Sequence, residues 1–391
     1  MIRRFSEIDL RGKPTFIRVD FNVPLTSDRK VADDTRIRAA LPTIKEAIDK
    51  GARVVLASHL GRPKAGPDPE LSLEPVAAAL AELLGKDVTF ADDCVGDGVR
   101  KNIQDLREGD VLLLENLRFH PGEEKNDEAF ARALADRIEV YVNDAFGAAH
   151  RAHASTVGMV RFVREKAAGH LMIREVEVLR GLLEEPARPF VVVMGGAKVS
   201  DKVAVMDSLI RRADAILVGG AMAYTLLAAR GVKVGKSRVE QDKIPVAERI
   251  IKAAAARNVA LLLPEDHVIA AAFDEHARPE VWREIPEYGI GLDIGPATRE
   301  AYVNRILGAK TVFWNGPMGV FEWPSFAAGT LAVAQAVADA KAVTVVGGGD
   351  SVAAIQAAGL AGKVTHISTG GGASLELLEG KILPGVAALE E

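Results

Sequence analysis

Cysteine is all but missing from this 391-residue chain: Cys94 stands alone. No intrachain disulfide can form, which fits a reducing compartment such as the cytoplasm. Long apolar runs are missing too. The longest stretch free of charged side chains is 323–338, and Pro324, Gly329 and Gln335 interrupt it. A membrane span needs about 18–20 predominantly apolar residues, so no membrane partner is expected. Met1–Asp9 carries Arg3, Arg4 and Glu7 with no apolar core behind them, which does not read as a secretory signal. Neither sign of charge dominates. Residues 1–170 hold 26 basic and 28 acidic side chains, and the whole chain is −5. Without a basic field, no nucleic-acid partner is expected. Low-complexity tracts and solenoid repeats are also absent.

What is present is an ordinary folded composition, 48% apolar and 26% charged, with 36 glycines. The length suggests two or three domains. Short apolar runs recur, each followed by a Gly- or Asp-rich turn and a helical stretch. They are Thr15–Val19, Arg53–Ala57, Asp87–Phe90, Val111–Leu114 and Val140–Asn143, then Phe190–Met194, Ala215–Val218, Val259–Leu263, Thr311–Trp314, Ala342–Val346 and Val364–Ile367. The runs do not alternate polar and apolar residues, so both faces are expected to be buried, as in a parallel sheet. Stretches such as Glu74–Leu84 and Ser325–Ala340 read as helices between them. The fold class expected is α/β, with two doubly wound parallel-sheet domains, because eleven strands are many for one open sheet. The helical segment 167–185, followed by Pro186 and Pro189, is the expected boundary.

In such sheets ligands bind beyond the carboxyl ends of the strands. In the first half these ends carry Asp20 and Asn22, then His59, Gly61 and Arg62, then Asn116 and Arg118, then Asp144, Gly147, His150 and Arg151. Several arginines converging on one spot suit a small multi-anionic ligand. In the second half the ends are glycine-rich: 195–198, 219–220, 315–319, 347–351 and 370–374. Glycine lets the backbone approach a ligand, and helix N-terminal amides attract phosphate. Together they read as a nucleotide-phosphate cradle.

Several familiar motifs fail. The runs at 347–352 and 370–375 lack the last glycine of the dinucleotide fingerprint, which weighs against an NAD-linked dehydrogenase. Gly231–Ser237 is one residue short of a phosphate loop and reads as a surface loop after Met222–Ala229. His150 and His153 alone make no metal site. Cys94 sits among Asp92, Asp93 and Asp97, which would not activate a thiol as a nucleophile.

Eight segments in order carry a resemblance. They are Arg18-Val-Asp-Phe-Asn-Val-Pro24, Ser58-His-Leu-Gly-Arg-Pro63, Leu114-Glu-Asn-Leu-Arg-Phe119, Asn143-Asp-Ala-Phe-Gly-Ala-Ala-His-Arg-Ala-His153, Gly195-Gly-Ala-Lys-Val-Ser-Asp-Lys202, Trp314-Asn-Gly-Pro-Met-Gly-Val-Phe-Glu322, Gly347-Gly-Gly-Asp-Ser351 and Gly370-Gly-Gly-Ala-Ser374. From about residue 15 to 385 the chain resembles phosphoglycerate kinase. The resemblance implies reversible phosphoryl transfer from 1,3-bisphosphoglycerate to Mg-ADP, giving 3-phosphoglycerate and Mg-ATP, in a monomer. It implies a substrate domain (1–168), a hinge helix (169–185), a nucleotide domain (186–373) and a tail returning to the first domain (374–391). Asp20, Asn22, Arg36, His59, Arg62, Arg118 and Arg151 would bind the glycerate ligand, with Arg18 and His150 in support. Lys202, Gly291, Glu322 and Gly348, Gly349, Asp350 and Ser351 would bind the nucleotide, Asp350 holding Mg²⁺. Arg36, Lys198 and the amides near Gly371 and Gly372 would surround the phosphoryl group in transit. His170 departs from the family's usual phenylalanine. An inactive nucleotide-binding scaffold of the same fold is the alternative, but the charged motif residues that such a protein should lose are all present.

The chemistry asks for little else. Charge spreads over three phosphoryl oxygens, so fixed cations matter more than proton transfer. The attacking carboxylate is already ionised near neutral pH. Closure of two separate sites would keep water out.

Overall fold

The structure, a computed structural model, describes residues 2–64 and 66–390. The chain divides into two compact units, Met1–Glu177 with Ile382–Glu391, and Val178–Lys381. The boundaries expected from the sequence were 168/169, 185/186 and 373/374. The compact division instead falls inside the helix His170–Glu184 and just before Ile382. Residues 374–381 stay with the second unit, where the helix Gly372–Leu378 packs on the helix Val203–Leu209.

The first unit is built on six parallel strands: β1 (Pro14–Arg18), β2 (Arg53–Ala57), β3 (Thr89–Phe90), β4 (Val111–Leu113), β5 (Val140–Asn143) and β6 (Glu165–Ala168), in the order β3-β4-β2-β1-β5-β6. The central strand β1 is buried throughout, as its unbroken apolar run predicts. Each aliphatic side chain so buried contributes about 1.5–3 kcal/mol. The helix Thr35–Asp49 covers one face with Ile37, Ala40, Ile44 and Ala47, a spacing that keeps them on one stripe. Register places Arg18 opposite Ala57 of β2 and Asn143 of β5. The loops after these three strands therefore leave the sheet level with one another.

β6 was not anticipated. It has two small apolar residues, Ala167 and Ala168, and sits at the sheet edge. The first residues of the expected 167–185 helix are thus strand, and the helix starts at His170. Asp144 sets that start: its Oδ1 accepts from the amides of Leu171 (2.9 Å) and Met172 (3.2 Å). Burial pushes the Asp144 carboxyl up to about 6. The last residues return to this unit, where Gly385 N–H donates to Ala149 O (2.8 Å), Lys166 Nζ to Ala388 O (3.0 Å), and Ile2 bridges Glu390.

The second unit has a six-stranded parallel sheet of β7 (Phe190–Met194), β8 (Ala215–Val218), β9 (Ala260–Leu262), β13 (Thr311–Asn315), β14 (Val343–Gly347) and β15 (His366–Ile367), ordered β15-β14-β13-β7-β8-β9. Asn315 lies opposite Met194 and Gly347, so the glycine turns after these strands emerge together. A separate antiparallel sheet, absent from the sequence reading, holds β10 (His267–Ala270), β11 (Glu280–Trp282) and β12 (Ile290–Ile294) in the order β11-β10-β12. Short, mixed-polarity strands such as Glu280-Val-Trp282 give no unbroken apolar run. The expected helix Ser325–Ala340 is a 3₁₀ turn, Pro324–Phe326, followed by a helix Ala328–Asp339.

Candidate active site

Many of the residues singled out from the sequence follow the carboxyl ends of the parallel strands, where ligands bind in open α/β sheets, whereas Arg36 opens a helix and Gly291 lies on β12. In the first unit Asp20 follows β1, and its carboxylate accepts from Arg36 Nη1 at 2.8 Å. Arg36 sits in the first turn of Thr35–Asp49, so the ion pair ties that helix to the β1 loop. Asn22 Oδ1 accepts from Gly61 N–H (2.9 Å), and Phe21 N–H donates to Ser58 Oγ (2.8 Å). Asn116 joins the β4 loop to the β2 loop. Its Oδ1 accepts from Leu60 N–H (3.1 Å), and its amide donates to Leu60 O (2.7 Å) and Leu71 O (2.9 Å). Arg118 Nη1 then reaches Gly61 O (2.6 Å).

His59 is the buried centre of this set. Burial, then the Arg18, Arg118, Arg151 and Arg36 guanidiniums, hold its imidazole well below the usual range. Arg18 Nη2 lies 3.2 Å from His59 Nδ1. A guanidinium only donates, so Nδ1 accepts and the ring proton sits on Nε2. A neutral imidazole thus offers one N–H donor amid four cations. Arg151 Nε lies 3.2 Å from His150 Nε2. Arg62 is exposed on the loop after Gly61 and is not among the guanidiniums that weigh on His59.

Arg18 itself is buried and donates from Nε to Ser155 Oγ (2.8 Å). Ser155 in turn donates from Oγ (2.5 Å) and N–H (2.9 Å) to Glu123, which is fully buried. Glu123 escaped the sequence reading because it lies in the short helix Pro121–Glu124, not at a strand end. A glutamate in a polar stretch gives no sign that it will be the internal counter-charge.

In the second unit a cavity of about 500 Å³ is walled by Gly196, Gly220, Tyr224, Gly291, Leu292, Pro317, Met318, Glu322 and Asp350, among others. Its lining is mostly apolar with a few charged side chains, the usual make-up of a small-molecule site. Gly291 is required by contact: a Cβ there would run into the Tyr224 ring and hydroxyl. Lys202 Nζ donates to Asn315 Oδ1, while Asn315 Nδ2 donates to Gly347 O (2.7 Å). Burial lowers the Lys202 ammonium from its usual value. Gly348 has φ +89 and lies against Asn315, so a side chain would be both strained and crowded. It caps the helix Gly349–Ala357, whose first turn holds Asp350 and Ser351. Ser351 Oγ accepts from Gly316 N–H (2.5 Å). Lys198 is exposed on the loop after β7, a loop anchored by Ser200 on Glu240. Gly371, at φ +54, caps the helix beginning at Gly372.

One sequence expectation needs correction. The segment 231–237, read as a plain surface loop, puts Lys236 on the cavity wall, and Arg238 follows it there. Ser237 Oγ accepts from Gly291 N–H (2.9 Å), which pins the loop beside that glycine.

Comparison with known proteins agrees with this arrangement. A family model for phosphoglycerate kinase matches residues 5–381. The chain belongs to the phosphoglycerate kinase family. A phosphoglycerate kinase of Anaeromyxobacter dehalogenans is 62% identical over 394 residues, covering both chains fully. One from Chlorobaculum tepidum is 55% identical, over 100% of this chain and 99% of the relative. A chloroplastic one from Volvox carteri is 52% identical over 99% of this chain and 85% of the relative. The solved phosphoglycerate kinase of Coxiella burnetii superposes with a TM-score of 0.92 at 40% identity, over 100% of this chain and 99% of that one. The two parallel-sheet α/β units that the sequence predicted are present, each with six strands. Among the described residues no helix is long and apolar enough to cross a membrane.

Proposed function

We propose that this kinase of glycolysis transfers the acyl phosphate of 1,3-bisphosphoglycerate to Mg-ADP, directly and reversibly, as the two units close about the connecting helix. The observation carrying this reading is the His59 cluster: one neutral imidazole donor within the fields of Arg18, Arg36, Arg118 and Arg151. Such a cluster fits a small ligand with a carboxylate and a phosphate, and Asp20 and Asn22 suit its hydroxyl end. Arg62 adds an exposed cation at the rim. The nucleotide base would lie in the apolar cavity beside Gly291 and Glu322, its phosphates near Lys202 and the Gly348–Ser351 turn.

Asp350 is an exposed carboxylate at the cavity wall, in the first turn of a helix. That fits Mg²⁺, a hard cation usually held by one or two carboxylates together with substrate phosphates. When bound, the metal would neutralise charge on the phosphates. Arg36, Lys198 and the amides near Gly371 and Gly372 would stabilise the three oxygens of the moving phosphoryl group. No general base is needed. We further propose a cytoplasmic monomer. The deciding assay supplies 3-phosphoglycerate and Mg-ATP and couples the acyl phosphate formed to a reductive step. Steady turnover is expected; none with folded protein would overturn the reading.

A further inference from the structure

The mechanism leaves the chain's single cysteine unused; burial, then the Asp93, Glu123 and Glu115 carboxylates, push its thiol well above the usual value, yet two further metal-ligating side chains stand beside it. Cys94 follows Asp93 in the loop after β3, and His120 ends the 3₁₀ turn Leu117–Phe119 after β4. One oxygen of Asp93, the Cys94 sulfur and one His120 ring nitrogen all lie within 4.8 Å of one another. Among the described residues, no other group of three such side chains comes this close. In a tetrahedral zinc site the bond lengths put ligand atoms roughly 3.3–3.7 Å apart. Closing the triad onto one ion therefore takes shifts of about 1 Å or less.

Two of the three groups already meet, while the thiol is held beside them by a backbone carbonyl. His120 Nε2 lies 2.6 Å from Asp93 Oδ1, and Cys94 Sγ donates to Glu115 O at 2.9 Å. The His120 ring is braced by the Phe130 ring, stacked at 4.8 Å. Burial shields the sulfur, while Asp93 and His120 are half-exposed, so an ion has a path from solvent. The Glu115 carboxylate is spent elsewhere, accepting from Ser72 Oγ and the amides of Leu73 and Asn116.

We propose that Asp93, Cys94 and His120 form a binding site for a borderline-soft divalent cation of the zinc type, separate from the Mg-nucleotide site. A thiolate, an imidazole and a carboxylate select such ions, whereas Mg²⁺ prefers oxygen ligands alone. On binding, the metal–sulfur bond replaces the S–H bond and the thiol proton leaves to solvent. His120 Nε2 gives its lone pair to the metal, and a proton held there passes to Nδ1 or to solvent. No oxidation or reduction occurs. Because the thiol proton is displaced, affinity falls on acidification. The filled site would tie the β3 loop to the turn that carries Arg118.

The test titrates the full-length protein with Co²⁺ alone, in a buffer free of chelators and nucleotide. A thiolate-to-cobalt charge-transfer band and the intense visible bands of a four-coordinate site are expected. Cys94→Ser should abolish the charge-transfer band. His120→Ala and Asp93→Asn should each weaken binding by tenfold or more, with far-ultraviolet circular dichroism unchanged. Zn²⁺ should displace Co²⁺ at one equivalent. Binding without a charge-transfer band would overturn the proposal. So would a band that survives both His120→Ala and Asp93→Asn at full affinity.

Discussion

Acidification should weaken the second unit through one buried side chain, His267. It lies on β10, 2% exposed, with its ring 5.5 Å from that of Tyr224. Burial drives its imidazole down to about 4, only partly opposed by Asp266. The fold therefore favours the neutral ring, and the unfolded chain holds the proton more tightly. The stabilisation is fully present above about pH 6.5 and is lost as the pH falls towards 4. At pH 5 the loss from this group is about 2 kcal/mol, rising to about 3 kcal/mol below pH 4. Other groups titrate in the same range, notably Asp293, which burial pushes up to about 7. They are common to the parent and to His267→Gln, so they cancel in the comparison. All three tryptophans, Trp282, Trp314 and Trp323, lie in the second unit, so their fluorescence follows its urea unfolding selectively. Unfolding free energies at pH 7 and pH 5 should converge on acidification, with His267→Gln losing about 2 kcal/mol less than the parent. Equal losses in the two proteins would refute the argument.

Arg36→Ala should lower kcat by about 10³-fold with little change in the calorimetric transition, because the side chain is partly exposed and its one ion pair is with Asp20. Gly291→Ala should raise the KM for nucleotide by tenfold or more and leave that for 3-phosphoglycerate unchanged, since the new methyl collides with Tyr224. Glu123→Gln should cost about 3 kcal/mol in chemical unfolding of the first unit, because Arg18 loses its buried counter-charge. His170→Phe exchanges an exposed 2.5 Å contact with Glu46 for a ring that keeps the edge-on packing against Phe5. Its unfolding free energy should differ by no more than the ~0.5 kcal/mol typical of such surface pairs.

Much of this was readable because both central sheets are buried on both faces. β2, β5, β7 and β8 carry the bounds expected from their apolar runs. What stayed hidden follows from the same physics in reverse. β6 is an edge strand and needs little apolar signal. The β10–β12 sheet mixes polar and apolar residues, so no run marks it. Glu123 and Lys236 belong to short irregular segments whose roles come from partners far away in sequence. The tautomer of His59 is set by Arg18, 41 positions earlier, and no local pattern encodes it.

The first unit is made of the two ends of the chain, with 178–381 inserted between them. During synthesis its sheet is complete by Ala168, but the pieces that close it, Gly385 on Ala149 and Ala388 on Lys166, emerge last. At the usual pace of translation the ribosome takes about 10–40 s to make the intervening segment. Through that interval the strand-end loop around Ala149 is uncovered, while the second unit can fold behind it. The unit begun before residue 178 is therefore completed only after residue 381, and loss of the segment from Ile382 onward strikes the beginning of the molecule.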